Sequence, residues 1–383
     1  MEVTTVQPDN LEQAQKIARK AAHILRSGGL VIFPTETVYG VAASAASSAG
    51  IERLRQLKVQ GDAQAFTIHL ADPALAQRYI DTSNAVLKRL LRKIFPGPVT
   101  IVVDVSDDQI SERLRLLGLA EVERDHLYYR NTAALRCPDH PLSQQILGAL
   151  DEPVVAGPAN RLGQPYPLEA SEAAEATGEQ VDLVVDGGRC RYSKPSTVVR
   201  IRGDGLSSSV TIERVGVYDE RIIRKLMRWT MLLVCSGNTC RSPIAEAICR
   251  ELVADQRGVQ PNELESVGLN VVSAGIQTTA GLHASEEAIT AMANQGLDLS
   301  CHRSQRLTSR LVYEADVIYG MTEAHCEAIR QLVPDAVDKV QRLDPTGDVE
   351  DPIGSGLNCY QRTAELIRSR LVQRLKEHSH ERF

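Results

Sequence analysis

The segment Cys235-Ser236-Gly237-Asn238-Thr239-Cys240-Arg241-Ser242 combines residue types suited to phosphoryl transfer. It follows an apolar run, Met231 to Val234, and Pro243 stands where the first turn of a helix tolerates proline. A loop that enters a helix N-terminus can turn its N–H groups toward an anion, and the Arg241 guanidinium would strengthen that binding. Because the same positive field favours a thiolate, the pattern predicts Cys235 as a nucleophile. The alternative is a buried structural cysteine after a strand.

A thiolate that attacks phosphorus also needs a partner that protonates the leaving group. Asp351, directly before Pro352, is a candidate because an aspartate on a loop is free to gain and lose a proton. Without the segment from Cys235 to Ser242, Asp351-Pro352 would equally well be only a turn.

The first half of the chain places polar clusters after apolar runs. The run Leu30 to Phe33 ends at Pro34-Thr35-Glu36-Thr37-Val38-Tyr39-Gly40, which brings hydroxyls, a carboxylate and a glycine to the end of a predicted strand. Open α/β sheets bind ligands at this edge. Other polar residues that follow apolar runs are Lys58, His69, Arg136, Asn160 and Ser196. Taken singly, each is more simply a loop residue.

Two α/β domains are predicted to position these residues. Leu11 to Leu25 has helical periodicity, and the strand candidates up to Val217 predict a mixed sheet with helices. After Val217 the apolar pattern typical of strands ends, and a charged stretch follows up to Leu226. We therefore predict one domain over residues 1–226 and another over 231–383. From Met231 onward, strands and helices alternate regularly, which is typical of a parallel sheet.

Composition narrows the class of protein. The chain has 383 residues, 43% of them hydrophobic, and a formal charge of −6, which disfavours a chain that grips nucleic acid as a whole. Its eight cysteines show no zinc-type spacing, so we predict reduced thiols and no metal site. Neither a signal peptide nor a membrane helix is evident, and we therefore expect a cytoplasmic protein without a membrane partner.

The second half resembles the low-molecular-weight protein-tyrosine-phosphatase family over most of residues 231–375. The resemblance rests on the cysteine loop together with Ser273-Ala274-Gly275, His302-Arg303-Ser304, Asp316 to Thr322 and Asp351-Pro352. It implies a Rossmann-like parallel sheet, with Cys235 as nucleophile and Asp351 as proton donor and later base. Arg241 and the backbone amides of the segment from Ser236 to Cys240 would bind the phosphoryl oxygens. Ser242 would hydrogen-bond the thiolate, and Asn238 would hold the loop. No cofactor is implied.

Two positions depart from tyrosine-specific members of this family. Thr239 stands where they have a bulky aliphatic residue, and Ile353 stands where they have an aromatic wall. Thr239 and the stretch Met321 to His325 look more like the bacterial protein-arginine-phosphatase branch. We therefore expect a phosphoprotein substrate, with phosphoarginine preferred over phosphotyrosine. A small phosphorylated molecule remains the alternative substrate.

The first half resembles the threonylcarbamoyl-AMP synthase (YrdC-type) family over residues 10–217, through Pro34 to Gly40 and Pro96-Gly97-Pro98-Val99-Thr100. That family condenses L-threonine, bicarbonate and ATP into threonylcarbamoyl-AMP, which other proteins transfer to certain tRNAs. Magnesium would arrive with ATP. Arg136 can bind the threonine carboxylate. The resemblance assigns threonine or ATP binding to nine residues: Thr35, Thr37, Tyr39, Lys58, His69, Thr132, Arg136, Asn160 and Ser196.

Two departures leave a second interpretation open. The family's Lys-x-Arg motif reads Lys58-Val59-Gln60 here, and its Ser-x-Asn motif reads Pro158-Ala159-Asn160. The chain is therefore predicted to be a bifunctional synthase and phosphatase. The alternative is a catalytically inactive nucleotide- or RNA-binding sensor fused to an active phosphatase.

Overall fold

The computed structural model describes residues 2–6, 10–58, 66–161, 163–203 and 209–377. The chain divides into two units, Met1–Lys225 and Leu226–Phe383. Gln60 lies outside the described residues. No helix among those described is both long enough and apolar enough to cross a membrane.

A mixed β-sheet forms the centre of the first unit. Its strands are β1 (Glu2–Thr5), β2 (Val31–Phe33), β3 (Gly40–Ser44), β4 (Thr67–His69), β5 (Val99–Asp104), β6 (Tyr128–Tyr129), β7 (Thr132–Arg136), β8 (Val154–Pro158), β9 (Leu183–Asp186), β10 (Thr197–Arg202) and β11 (Ser209–Arg214). Their order is β1-β9-β2-β3-β8-β4-β7-β5-β10-β11, and β6 pairs with β7. The sheet contains both parallel pairs, such as β4–β7, and antiparallel pairs, such as β3–β8. The predicted mixed α/β class is therefore confirmed.

The first unit also contains helices with apolar faces. They are α1 (Leu11–Arg26), α2 (Ser48–Lys58), α3 (Ala85–Ile94), α4 (Asp107–Leu117), α5 (Arg124–Leu127), α6 (Pro141–Gly148) and α7 (Ala170–Thr177), while α8 (Glu220–Met227) spans the boundary between the two units. Asn10 caps α1 by accepting a 3.0 Å hydrogen bond from the Gln13 N–H. Residues of α1 such as Ile17 and Leu25 share one core with Val31 and Phe33 of β2, so the helix fixes the strand that leads to Pro34.

The second unit is a parallel sheet wrapped by helices. Its strands are β12 (Trp229–Cys235), β13 (Leu269–Gly275), β14 (Val317–Gly320) and β15 (Val340–Arg342), in the order β13-β12-β14-β15. All three neighbouring pairs are parallel, as the alternating pattern predicts. Its helices are α9 (Arg241–Arg257), α10 (Glu286–Ala293), α11 (Ser309–Glu314), α12 (Glu323–Leu332) and α13 (Leu357–Glu377).

Strand β12 is buried on both faces, which explains its continuous apolar sequence. Met231, Leu233 and Cys235 belong to one core, whereas Leu232 and Val234 belong to the core on the other face. Several elements lie outside the sequence-based prediction, among them the strands β3, β7, β8 and β15 and the helices α3, α4, α7 and α13. Helix α13 carries a detectable signal, because its buried residues Tyr360, Ala364, Ile367 and Leu371 recur at helical spacing.

Candidate active sites

The phosphate loop, residues 235–240, connects the end of β12 with the start of α9. Asn238 adopts a φ of 52°, a left-handed conformation that asparagine tolerates better than most residues. Gly275 of β13 lies against the loop. A Cβ atom there would come within 2.8 Å of the Ser236 carbonyl oxygen and 3.0 Å of Asn238 Cβ. The sequence Ser273-Ala274-Gly275 thus allows the close approach that the loop needs.

The Cys235 thiol is buried and surrounded by hydrogen-bond donors. Its sulfur lies 3.0 Å from the Ser242 hydroxyl and accepts a hydrogen bond of 3.2 Å from the Asn238 N–H. The Ser242 oxygen accepts from Asn238 Nδ2 at 2.9 Å, and its hydrogen has two acceptors within reach, the sulfur at 3.0 Å and the Ala274 carbonyl oxygen at 3.5 Å. The sulfur therefore lies at the N-terminus of α9 with two hydrogen-bonding neighbours, Ser242 and the Asn238 N–H.

Asn238 ties the loop to its surroundings. Its Nδ2 also donates to Ser273 Oγ at 2.8 Å, and its Oδ1 accepts from the Gln305 N–H at 2.8 Å. Its backbone carbonyl lies 2.8 Å from Nε2 of His302. These contacts place the motifs at 273–275 and 302–305 around one residue of the loop.

Arg241 and Asp351 form an ion pair at this site. The Arg241 Nη2 donates to Asp351 Oδ2, and Nη1 donates to the Val349 carbonyl oxygen at 3.0 Å. Arg241 Nε is buried and has no hydrogen-bond partner among the described residues. Asp351 lies on the loop between β15 and α13, where its carboxylate remains partly exposed. The structure therefore brings the predicted anion ligand and the predicted proton donor together.

The remaining loop residues face other neighbours. The Cys240 sulfur lies 3.5 Å from both the Ser285 hydroxyl and the Tyr360 hydroxyl, and burial raises the pKa of Tyr360 to about 12. The Thr239 carbonyl oxygen accepts from the Ser285 N–H at 2.9 Å. Ser236 is exposed beside the buried nucleophile.

A cavity of about 470 Å³ opens on the sheet of the first unit. Its lining includes five of the nine predicted residues: Thr35, His69, Thr132, Arg136 and Ser196. They come from different strands and loops, which the mixed sheet brings to one place. Thr37 contacts the cavity residue Arg136.

Arg136 is buried beside the carboxylate of Glu36, which is not among the nine residues predicted to bind threonine or ATP. Its Nη2 donates to Glu36 Oε1 at 3.1 Å, to the Thr35 hydroxyl at 3.3 Å and to the Thr37 hydroxyl. Glu36 also accepts from the Asp139 N–H at 3.1 Å. Arg136 Nε has no partner among the described residues, so it can donate to a ligand. Glu36 was detectable as the acidic residue between Thr35 and Thr37.

His69 is a neutral imidazole in this cavity. Its burial, followed by the positive charge of Arg136, lowers the pKa of His69 to about 3. Nδ1 lies 2.9 Å from the Thr67 carbonyl oxygen, which only accepts, so Nδ1 carries the hydrogen. Nε2 is consequently an acceptor for a hydroxyl or ammonium group.

The other three predicted residues make protein contacts outside the cavity lining. The Tyr39 hydroxyl donates to the Gly188 carbonyl at 2.7 Å, and burial raises the pKa of Tyr39. Lys58 Nζ donates to the carbonyls of Pro158 and Asn160, the latter at 2.8 Å, and burial lowers the pKa of Lys58 to about 8. Asn160 Nδ2 donates to the Gln164 carbonyl at 2.7 Å.

Two arginines that sequence reasoning missed also line the cavity. Arg214 donates to the Ser196 carbonyl at 3.0 Å and hydroxyl at 3.2 Å, whereas Arg200 pairs with Asp104 at 3.0 Å and with Glu213. They lie on the hairpin of β10 and β11, whose alternating pattern was the available signal. Three guanidinium groups, those of Arg136, Arg200 and Arg214, therefore line the cavity.

No group of three or more histidine, cysteine, aspartate or glutamate side chains in the described part of the chain could hold a metal ion.

Comparisons with known proteins match both halves. Residues 23–216 match the Sua5, YciO and YrdC family model, whose description reads telomere recombination. Residues 230–382 match the model for low molecular weight phosphotyrosine protein phosphatases.

Individual relatives give the same division. The Bacillus subtilis threonylcarbamoyl-AMP synthase is 29% identical over 196 residues, which cover 51% of this chain and 53% of that protein. The chain thus spans about half the length of this curated relative. The probable low molecular weight protein-tyrosine-phosphatase EpsP of Ralstonia nicotianae is 36% identical over 140 residues, which cover 36% of this chain and 88% of that protein.

One solved structure bears on the fold. A crystal structure of Sua5 from P. abyssi complexed with L-threonine has a TM-score of 0.50 at 20% identity, covering 72% of this chain and 92% of that chain. At this identity the likeness concerns the fold alone.

Proposed function

Because the chain belongs to the Sua5, YciO and YrdC family through residues 23–216 and to the low molecular weight phosphotyrosine protein phosphatase family through residues 230–382, we propose that it is a bifunctional enzyme. The second unit hydrolyses a phosphorylated substrate through a phosphocysteine. The first unit makes threonylcarbamoyl-AMP. The cytoplasm is the proposed location of both reactions.

The arrangement of Cys235, Arg241 and Asp351 carries the phosphatase proposal. The Cys235 thiolate attacks phosphorus and forms an S–P bond, while the bond to the leaving group breaks and Asp351 gives that group its proton. Asp351 then takes a proton from water, the hydroxide oxygen bonds to phosphorus, and the S–P bond breaks to release phosphate. Arg241 Nε and the loop N–H groups stabilise the phosphoryl oxygens.

Phosphoarginine in a protein is the proposed substrate. An aromatic leaving group is favoured by apolar and aromatic walls, but the corresponding positions are Thr239 and the exposed aliphatic Ile353. A guanidino leaving group is polar and does not require an aromatic wall.

The ratio of kcat/KM on a phosphoarginine peptide to that on the matching phosphotyrosine peptide tests this specificity. We expect a ratio above one, and a clear preference for phosphotyrosine would overturn the proposal. Capture of phosphoproteins by the Cys235→Ser chain separates a protein substrate from a small phosphorylated molecule, since the small molecule would leave the variant without bound protein.

The buried Arg136 with its available Nε carries the synthase proposal. Arg136 binds the carboxylate of L-threonine, and the Nε2 lone pair of His69 accepts from its polar hydrogens. Ser196 adds a hydroxyl on the same cavity wall. The cavity arginine Arg214, which has no carboxylate partner among the described residues, supplies positive charge for the phosphates of ATP, with which magnesium enters the site.

Pyrophosphate release from ATP by the full chain tests this half. Release should require both L-threonine and bicarbonate, and it should fall in Arg136→Ala. Binding of ATP or threonine without release would favour a nucleotide-binding sensor in place of the synthase. The product is proposed to pass to separate proteins that modify tRNA.

A further inference from the structure

The exposed Ser236 is held by a buried histidine from a different part of the second unit. Ser236 directly follows the nucleophile, and its hydroxyl oxygen lies 2.9 Å from Nε2 of His325. His325 lies in the first turn of α12. Residues 321–325 therefore contact the phosphate loop through one side-chain hydrogen bond.

The hydrogen bonds on the other side of the ring define its tautomer. The Thr322 N–H donates to His325 Nδ1 at 3.1 Å, as part of the capping box of α12. Nδ1 is therefore an acceptor without a hydrogen, and in the neutral ring the hydrogen is on Nε2. Nε2–H must then donate to the Ser236 oxygen.

The ring is neutral because of its surroundings. Burial, and next the nearby positive charge of Arg241, lower the pKa of His325 to about 4. Asp351 and Asp348 act in the opposite direction with smaller effect. At neutral pH the imidazole therefore keeps one donor, and it points at Ser236.

This donation leaves the Ser236 hydroxyl hydrogen available. Ser236 Oγ has no hydrogen-bond partner other than His325 among the residues that the structure describes. A free O–H beside Cys235, in a loop whose N–H groups and arginine attract an anion, is placed to bind a phosphoryl oxygen.

We propose that His325 is a positioning residue and that the side chain of Ser236 is a further phosphate-binding group. His325 fixes the Ser236 oxygen, and the Ser236 hydroxyl donates its hydrogen to an oxygen of the phosphoryl group in the loop. This inference rests on the proposed phosphatase function, and it adds a side-chain donor to the loop amides and Arg241.

The test is a double-mutant cycle in the full chain. Ser236→Ala removes the hydroxyl, His325→Leu removes the ring donor, and His325→Gln keeps an N–H donor at a similar distance from the backbone. The readouts are kcat/KM on an aryl phosphate and the inhibition constant of inorganic phosphate. One lost hydrogen bond to a charged group predicts roughly a tenfold fall in kcat/KM and roughly a tenfold weaker inhibition for each single leucine or alanine variant.

The coupling between the two changes decides the outcome. We expect Ser236→Ala/His325→Leu to be no worse than either single variant, and His325→Gln to retain most of the activity. Equal losses from His325→Leu with and without the Ser236 hydroxyl would overturn the proposal, as would unchanged phosphate inhibition in Ser236→Ala. A wild-type chain that does not hydrolyse any phosphate substrate would instead refute the phosphatase function. Phosphate binding, measured by phosphorus NMR, would then still test the role of Ser236.

Discussion

Within the described residues, each unit contains a buried arginine that pairs with one carboxylate and whose Nε has no hydrogen-bond partner, but the two carboxylates differ in exposure. The side chain of Asp351, the partner of Arg241, is 40% exposed, whereas that of Glu36, the partner of Arg136, is 1% exposed. Glu36 also accepts an N–H from Asp139. An exposed carboxylate is in contact with water, whereas a buried one is enclosed with its cation. This difference agrees with the two proposed roles, proton transfer by Asp351 and ligand binding by Arg136.

The largest expected effect is that of Cys235→Ser, which should abolish the phosphatase reaction and leave the synthase reaction unchanged. Cys235→Ser removes the nucleophile and should lower phosphatase kcat by about four orders of magnitude. Threonine-dependent pyrophosphate release should stay at the wild-type rate, because Cys235 belongs to the other unit. Parallel assays of both reactions on one preparation measure this, and a joint loss would contradict the assignment of one activity to each unit.

Asp351→Asn tests the exposed carboxylate. Loss of a general acid predicts a fall in kcat of about 10²- to 10³-fold. The matched control is Asp348→Asn, which removes a nearby charge that pairs with Arg342 rather than Arg241. Steady-state rates on a phosphate ester with a poor leaving group provide the measurement. Equal losses in both variants would mean that Asp351 acts only through its charge.

Glu36→Gln tests the buried carboxylate, and here we expect a loss of stability. Removing one partner of a buried ion pair leaves Arg136 uncompensated, so the free energy of unfolding of the first unit should fall by about 3 kcal/mol. Glu169→Gln breaks an exposed pair with Arg189 and should cost less than about 1 kcal/mol. Urea denaturation followed by circular dichroism compares the two. A loss of stability of similar size in both variants would show that the burial of the Glu36–Arg136 pair makes no difference to its contribution.

The smallest expected effect is the pH dependence that His69 contributes to the first unit. Its pKa is about 3 in the folded unit, against the ordinary histidine value of 6.5, so the unfolded chain binds more protons between these two pH values. Stability is therefore fully present above pH 6.5 and falls as the pH decreases toward 3. Between pH 7 and 5.5 the expected loss is about 1 kcal/mol.

His69→Gln should abolish this part of the pH dependence. Urea denaturation at the two pH values, followed by circular dichroism, gives the difference. Fluorescence of Trp229, the single tryptophan, reports the second unit separately. An unchanged pH slope in the variant would show that other groups are responsible.

The sequence predicted the second unit more completely than the first because its residues for chemistry are close in the chain. Cys235 through Ser242 form one strand–loop–helix connection, and β12, β13 and β14 each have a short apolar pattern. Local spacing therefore indicated both the fold and the loop. In the first unit the predicted residues that line the cavity lie on β4 and β7, after β2 and directly before β10, and single polar residues on separate strands carry little local signal.

Residue types and spacing determined the mixed and parallel α/β classes, Cys235 and Arg241 with their loop, and the polar clusters of the first unit, whereas the nine threonine- or ATP-binding assignments came from the family resemblance. Tertiary structure decided which atoms meet: that Glu36 neutralises Arg136, that Arg200 and Arg214 line the cavity, and that His325 holds Ser236. The Glu36–Arg136 contact joins residues 100 positions apart, and the Ser236–His325 contact joins residues 89 positions apart. Periodicity and motif spacing encode neighbours along a helix, strand or loop, whereas contacts between elements depend on strand order, register and the packing of side chains.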